Sequence, residues 1–505
     1  MGSWILAHDL GTSGDKATLY GADGSLGASF TAEYPTHYGA GGVVEQDANL
    51  WWDAFIRATK ELLKTSGVQA KDIEAISFSG QMMGCVLVDG ELNPLRPAII
   101  WADTRARAQE AEFIRRVGME HGYRIIGHRI SASYGACKLL WVRDNEPEVY
   151  ANVRCMLNAK DFIVAKLCNV LCTDYSDAAS TNLFDLVKKD WSDEILKALE
   201  ISRDILPQTI ASTATAGYVT AEAASLTGLM QGTRVIMGGG DGSCACVGAG
   251  VVREGSTYNV LGSSSWTSCA SKEPVFDEKM RTFNWVHLDE NFYTPCGTMQ
   301  AAGASFSWMR DNIATGKEFT EGSVYDCIDE AVKNSPIGAK GMIYLPYLLG
   351  ERSPRWNMEA SGAFIGLGMN TGKGDLCRAV LEGVGFNLKI IGDILEEQVG
   401  DLGRITLIGG GAQSRVWMQI LSDIWEKEIA IPKYLHEATS IGAAVCGGVG
   451  AGVFESFDVI EKFNPVCEIV KPNAENFPLY RDLYRIFDQS YDALCGVYHE
   501  LNRFQ

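Results

Sequence analysis

A chain of 505 residues is too long for one ordinary core and points to two domains or three. Its 46% hydrophobic and 21% charged residues are those of a globular protein, and no apolar run approaches the roughly 20 residues of a membrane helix. The 63 acidic against 44 basic residues, a net charge of −19, argue against nucleic acid or an anionic membrane as the main partner, while a local site can still take a small anion.

The opening MGSWILAHDLG has no basic leader, and its apolar run ends at Asp9, so no secretory signal is expected. The 14 cysteines form no paired CxxC framework, and the CxC of Cys244 and Cys246 has no second pair to complete a metal site. They read as reduced thiols of a cytoplasmic protein, used as small apolar residues.

Residues 4–33 alternate apolar runs with the turns LGTSG and ADGS and predict an antiparallel meander of three strands. EQDANLWWDAFIRATKELLKTSG predicts an amphipathic helix, capped by Asp47 or Asn49 and ended by Gly67, with Leu50, Phe55, Leu62 and Leu63 on its apolar face. Trp51 and Trp52 are read as packing residues. IEAISFSG is a buried strand before the turn GQMMG. A strand at 98–101 follows, then helices near 103–117, around KLLWVRDN and around AKDFIVAKLC. RVIMGGGDG is a strand ending in glycines. Residues 255–271 repeat the opening device, with LGSSS where LGTSG stood. Two related α/β halves are therefore expected, 1–248 and 249–505, packed together without a low-complexity linker. The second half continues with a helix at 300–313, strand GMIYLP, a helix at 374–399, strand RITLIGGG, a helix at 413–427 and the helix-like run TSIGAAVCGGVGAGV.

Three strand-following turns, DLGTSGDK, LGSSSW and LIGGGAQS, offer backbone N–H groups and hydroxyls at short range, as a triphosphate requires. Any one alone is ordinary punctuation; two that match each other are more. None is a Walker A loop, and GGGAQS lacks the spacing of a dinucleotide fingerprint. Asp9 and Asp241 each close an apolar strand. A carboxylate there is a turn or cap residue, or it holds Mg²⁺ through water and orients a hydroxyl. The glycines around Asp241 read as clearance for two substrates and a metal. His8 is expected to point to the opposite sheet face from Asp9, Lys138 to be structural, and Glu351 and Arg352 to be either a cleft-lining pair or a structural salt bridge.

DLGTSG, GQMMG, AIIWADTR, YGACKLLWVRDNEPE, SDAASTNLFDL, GGGDG, LGSSS, LPYLLGERSP, RAVLEGVGFNL and LIGGGAQS follow one another over about 440 residues. In that order they resemble the FGGY carbohydrate kinase family, and within it the xylulokinase branch. Residues 362–382 fit the family's C-terminal signature, whereas Gly135 stands where a Pro, Ser or Thr is usual. The resemblance implies two actin-like (RNase H-like) domains around a cleft, with sugar mainly on the first, ATP mainly on the second, and Mg²⁺. It implies that Asp241 is the general base and Asp9 the acid associated with Mg-ATP, both near the metal. Thr12, Ser13 and Lys16 match the first phosphate loop, and Gly262 and Ser263 the second. Gly303, Gly410 and Gly411 border the nucleotide, with Arg415 near the adenine. Met82 and Met83 fill the sugar loop, with Trp101 and Asp103 in the neighbouring one. QMMG departs from the QMHG common in xylulokinases, since a thioether donates no hydrogen bond; the absence of an Arg-Glu pair in this loop argues against glycerol. The expectation is an ATP-dependent kinase of a small ketose, D-xylulose first. Ribulose, erythritol and gluconate kinases are siblings, and an actin- or Hsp70-like ATPase or a silent sugar sensor are rivals from other classes. Dimers are common in the family, though nothing in the chain marks an interface.

Overall fold

The structure is a computed structural model that describes residues 3–320 and 322–504. Two seven-stranded sheets organise it. The first contains β1 (Trp4–Leu10), β2 (Gly14–Gly21), β3 (Leu26–Glu33), β4 (Ile73–Gly80), β5 (Thr215–Tyr218), β6 (Arg234–Ile236) and β7 (Gly239–Gly240). The second contains β8 (Thr257–Leu261), β9 (Ser265–Cys269), β10 (Phe283–Val286), β11 (Tyr293–Met299), β12 (Ile405–Ile408), β13 (Ile429–Pro432) and β14 (Val466–Val470). The two share one plan. β1 runs antiparallel to β2 and parallel to β4, just as β8 runs antiparallel to β9 and parallel to β12. The opening device is thus one supersecondary unit used twice, in two domains of the actin-like kind.

Helices cover the sheets. α1 (Ala48–Ser66) begins at Asp47, whose side chain accepts from the Asn49 N–H, and ends at Gly67 in the left-handed region, φ 70°. Its buried face is Trp51, Phe55, Ala58 and Leu62, whereas Leu50 is 36% exposed and lies off that face. Each large side chain so buried stabilises by roughly 1.5–3 kcal/mol. Then come α2 (Gly135–Asn145), α3 (Ala159–Cys168), the short α4 (Tyr175–Ala179) and α5 (Asp241–Gly248). The second half adds α6 (Gly303–Asn312), α7 (Val324–Asn334), the 27-residue α8 (Lys373–Val399), α9 (Arg415–Trp425), α10 (Ala438–Gly450) and α11 (Phe477–Leu501). The sequence reading named neither α7 nor α11. The core face of α11 is written largely in tyrosine, Tyr480, Tyr491 and Tyr498, which weakens its apolar period.

The halves meet through α5 and α10. A Cβ on Gly248 would lie 1.8 Å from the Ala438 carbonyl oxygen, and one on Gly442 2.0 Å from that of Cys244. Only hydrogen fits at this crossing. α10 also packs on β1 and β4, so an element of the second half lies on the first sheet. No disulfide joins the cysteines among the described residues, and most of them are buried, Cys244 and Cys246 included.

Candidate active site

β1, β4 and β7 are parallel, with Asp9 beside Ser79, Ser79 beside Gly239, and Leu10, Gly80 and Gly240 in the next row. The carboxyl ends of adjacent parallel strands therefore bring Asp9 and the residue after Gly240 to one edge, about two strand spacings or roughly 10 Å apart. Asp241 is the first residue of α5 rather than a turn residue. Its Oδ1 accepts from the Gly242 N–H at 2.8 Å, while Oδ2 has no hydrogen-bond partner among the described residues. Burial, and then the nearby Asp9 charge, push its carboxyl up to about 7. Asp9 is raised as well, by burial, partly offset by the hydrogen bond from Thr439. Thr439 Oγ1 donates to Asp9 Oδ2 at 2.6 Å from the first turn of α10.

The glycines before Asp241 answer to the protein's own packing, which corrects the expectation that they clear a path for substrates. Gly238 has φ 68°, and a Cβ there would meet the Phe78 carbonyl oxygen at 2.1 Å. One on Gly239 would meet Leu288 at 2.3 Å, and one on Gly240 would meet Met82 Cγ and Sδ at 2.5 Å. Met82 is buried against Gly240, the residue before Asp241.

Met83 has φ 61°, and its carbonyl accepts from Lys138 Nζ at 2.7 Å. The fully buried Lys138 also donates to the carbonyls of Ile100 and Ser133, tying the GQMMG loop to the loop of Trp101. Burial lowers its ammonium to about 7. Trp101 is 42% exposed and donates from Nε1 to Thr12 Oγ1 at 3.0 Å, which places the ring at the LGTSG turn. Ser13 is exposed. Asp103 is fully buried, and its carboxylate is taken up by the Val44 N–H and the Arg105 guanidinium. It shapes the loop rather than facing solvent. Lys16, opposite Asp9 in β2, pairs with Glu437 at 2.5 Å. His8 is buried with Asp15 at 2.8 Å. Glu351 accepts from the Gln300 and Arg352 N–H groups and from Asn387, and makes no ion pair with Arg352.

Gly262, Ser263, Gly303, Gly410 and Gly411 line one cavity of about 700 Å³ in the second half. Gly303 N–H donates to the Gly262 carbonyl at 2.8 Å, and a Cβ there would lie 2.4 Å from that oxygen, so α6 closes directly on the β8–β9 turn. Arg415 is not part of this lining; its guanidinium pairs with Glu468 on β14. The sequence reading missed Phe306, Tyr325, Asp329, Ser414 and Trp417 of the same wall. Phe306 stacks on Tyr325 and on Trp417 at 5.8 and 5.5 Å between ring centres. The spacing of Ile328 and Val332 on α7 was the signal for that helix.

Among the described residues no group of three or more His, Cys, Asp or Glu could form a metal cage, and no helix is long and apolar enough to cross a membrane. Residues 4–248 match the N-terminal domain of the FGGY family of carbohydrate kinases and residues 257–451 its C-terminal domain. The xylulose kinase of Bacillus subtilis is 33% identical over 505 residues, covering 99% of each chain. The gluconokinase of the same organism is 28% identical over 507 residues, covering 98% of each. The ligand-bound xylulose kinase of Lactobacillus acidophilus superimposes with a TM-score of 0.92 at 26% identity, covering 99% of this chain and all of its own. With the acidic edge of one sheet, the glycine-lined cavity of the other and both family domains in order, the chain belongs to the FGGY family of ATP-dependent carbohydrate kinases.

Proposed function

We propose that the protein transfers the γ-phosphoryl group of ATP to the primary hydroxyl of D-xylulose, giving D-xylulose 5-phosphate. The observation that carries this is Asp241, a carboxylate with one oxygen free, raised to about 7, at the sheet edge beside Met82 and Asp9. Phosphoryl transfer needs in-line positioning, charge neutralisation and one group to take the hydroxyl proton. Asp241 Oδ2 is that group, and a carboxyl near 7 is matched to a proton transfer at neutral pH.

Residues 1–248 hold the sugar at Met82, Met83 and Trp101, with Asp103 supporting the loop. Residues 249–505 hold ATP. The Gly262–Ser263 turn and Gly410–Gly411 present backbone N–H groups to phosphates, and Gly303 lets α6 approach. The aromatic wall of Phe306 and Tyr325 suits the base. Thr12, Ser13 and Lys16 face the terminal phosphates from the other side. Two carboxylates with no protein cage suit Mg²⁺, which keeps waters and shares nucleotide phosphates. Bound with the nucleotide, that ion supplies charge neutralisation on the transferring group. Closure of the halves about the α5–α10 crossing excludes water.

The relatives include gluconokinases as well as xylulose kinases, so the acceptor is the point to test. Mg-ATP turnover with coupled ADP detection is measured against ketoses, polyols and sugar acids, with a no-sugar control. Stimulation by D-xylulose above all others supports the reading. Stimulation by gluconate or another polyol moves it to a sibling kinase, and turnover indifferent to sugar overturns it.

A further inference from the structure

Residues 176–181, SDAAST, line neither the nucleotide cavity nor the exposed edge, yet their hydroxyls hold two backbone groups of the site. Ser176 Oγ accepts from the Gly240 N–H at 2.9 Å and donates to Asp174 Oδ2 at 2.5 Å. Gly240 immediately precedes Asp241. Four residues on, Ser180 Oγ accepts from the Met83 N–H at 3.0 Å and donates to the Asp177 carbonyl at 2.7 Å. The other side of Met83 is held by Lys138. Positive φ is costly for a residue with a side chain and persists only where the surroundings over-determine it. Met83 meets that condition, with its N–H on Ser180 and its C=O on Lys138.

Both serines rest on one buried charge cluster. Lys160 Nζ lies 2.7 Å from Asp161 Oδ1, 2.7 Å from Asp174 Oδ1 and 3.0 Å from Asp177 Oδ2, and all four side chains are inaccessible to water. A cluster with more carboxylates than cations is a poor source of stability compared with an apolar core of the same volume. What it provides is geometry. Asp174 orients Ser176, Asp177 lies in the same turn, and α4 cannot slide without breaking several charge-assisted hydrogen bonds.

We infer that Ser176 and Ser180 are positioning residues that set the reach from the Asp241 carboxylate to the sugar held at Met82 and Met83. Ser176 fixes the base through the Gly240 peptide, and Ser180 fixes the sugar loop through the Met83 peptide. α4 is the rigid spacer between them. Met82, packed on Gly240, closes the unit from the other side. This rests on the reading of Asp241 as the base and of the GQMMG loop as the sugar loop.

The test is a split between kcat and KM in the full-length protein, with ADP binding by calorimetry as the control for an intact second half. Ser176→Ala is expected to lower kcat by about 10- to 100-fold, the scale of an ångström misplacement, with sugar KM changed less than about threefold. Ser180→Ala is expected to raise sugar KM about tenfold with kcat nearly kept. ADP affinity stays at the wild-type value in both. Equal, parallel losses in kcat and ADP binding in both variants mark a merely structural role and overturn the proposal, as do wild-type kinetics in both. Should Ser176→Ala not yield folded protein, Ser180→Ala decides: raised sugar KM supports the spacer and unchanged KM overturns it. Asp241→Asn separates this from the underlying reading. Lost transfer there with wild-type serine variants removes the spacer and leaves the base. Retained transfer removes the base and the Ser176 half with it.

Discussion

The same strand–turn–strand unit stands at the head of both sheets, and its two copies carry different chemistry. In the first copy the turn LGTSG follows Asp9; in the second, LGSSS follows Val260. The first edge gathers charge: Asp9, Asp241, Lys16 and, from the residue before α10, Glu437. The second gathers backbone: Gly262, Gly303, Gly410 and Gly411 around an open cavity. One architecture thus presents a buried acidic edge in one half and a glycine-lined cavity in the other.

The sharpest way to break this division is Asp241→Asn. Transfer is expected to fall by about 10²–10⁴-fold, while ATP affinity by calorimetry stays within about twofold. In the wild type, Asp241 must be ionised to accept a proton. With its carboxyl near 7, kcat/KM rises with pH and levels off above about 7, and Asp241→Asn loses that limb. Stability runs the other way. A carboxyl raised on folding binds more protons folded than unfolded between about 4 and 7, so it stabilises below that window and loses this contribution as pH rises through 7. Asp241→Asn is therefore expected to melt a few degrees higher than the wild type at pH 8, seen by calorimetry.

A smaller effect is expected on the other edge. At Gly410 a Cβ has room, with only His436 near, at 3.9 Å. Gly410→Val is expected to fold, to fill part of the cavity and to raise ATP KM about tenfold, with sugar affinity unchanged in binding assays. If sugar affinity falls equally, the two edges are not separate. The smallest effect is at the seam. The Lys16–Glu437 pair is about a quarter exposed on each side, a setting worth roughly 0.5–1 kcal/mol. Glu437→Gln is expected to lower the melting temperature by about 1–2 °C in low salt and by less in high salt, with kcat nearly kept.

Much of the site was legible because its residues obey local rules. Asp47 and Gly67 bound α1 as cap residues do, and the glycine turns fall after strands as written. Asp241 could be singled out because a lone acid closes an apolar strand. The partners of these residues could not be read. Arg415 turns to Glu468, Lys16 to a glutamate 421 positions away, and the aromatic wall comes from α6, α7 and α9 together. The glycines before Asp241 drew the eye for a different reason from the one that needs them.

Composition, alternation, turn residues and motif order together determined two α/β halves, their repeated unit and the acids and glycines that follow its strands, because these follow from backbone geometry over a few residues. Tertiary structure alone decided which of them meet. The α5–α10 crossing, the row that brings Asp9 toward Asp241, and the buried lysine cluster under α4 all depend on close packing between segments distant in the chain. No periodicity along the chain encodes such a contact.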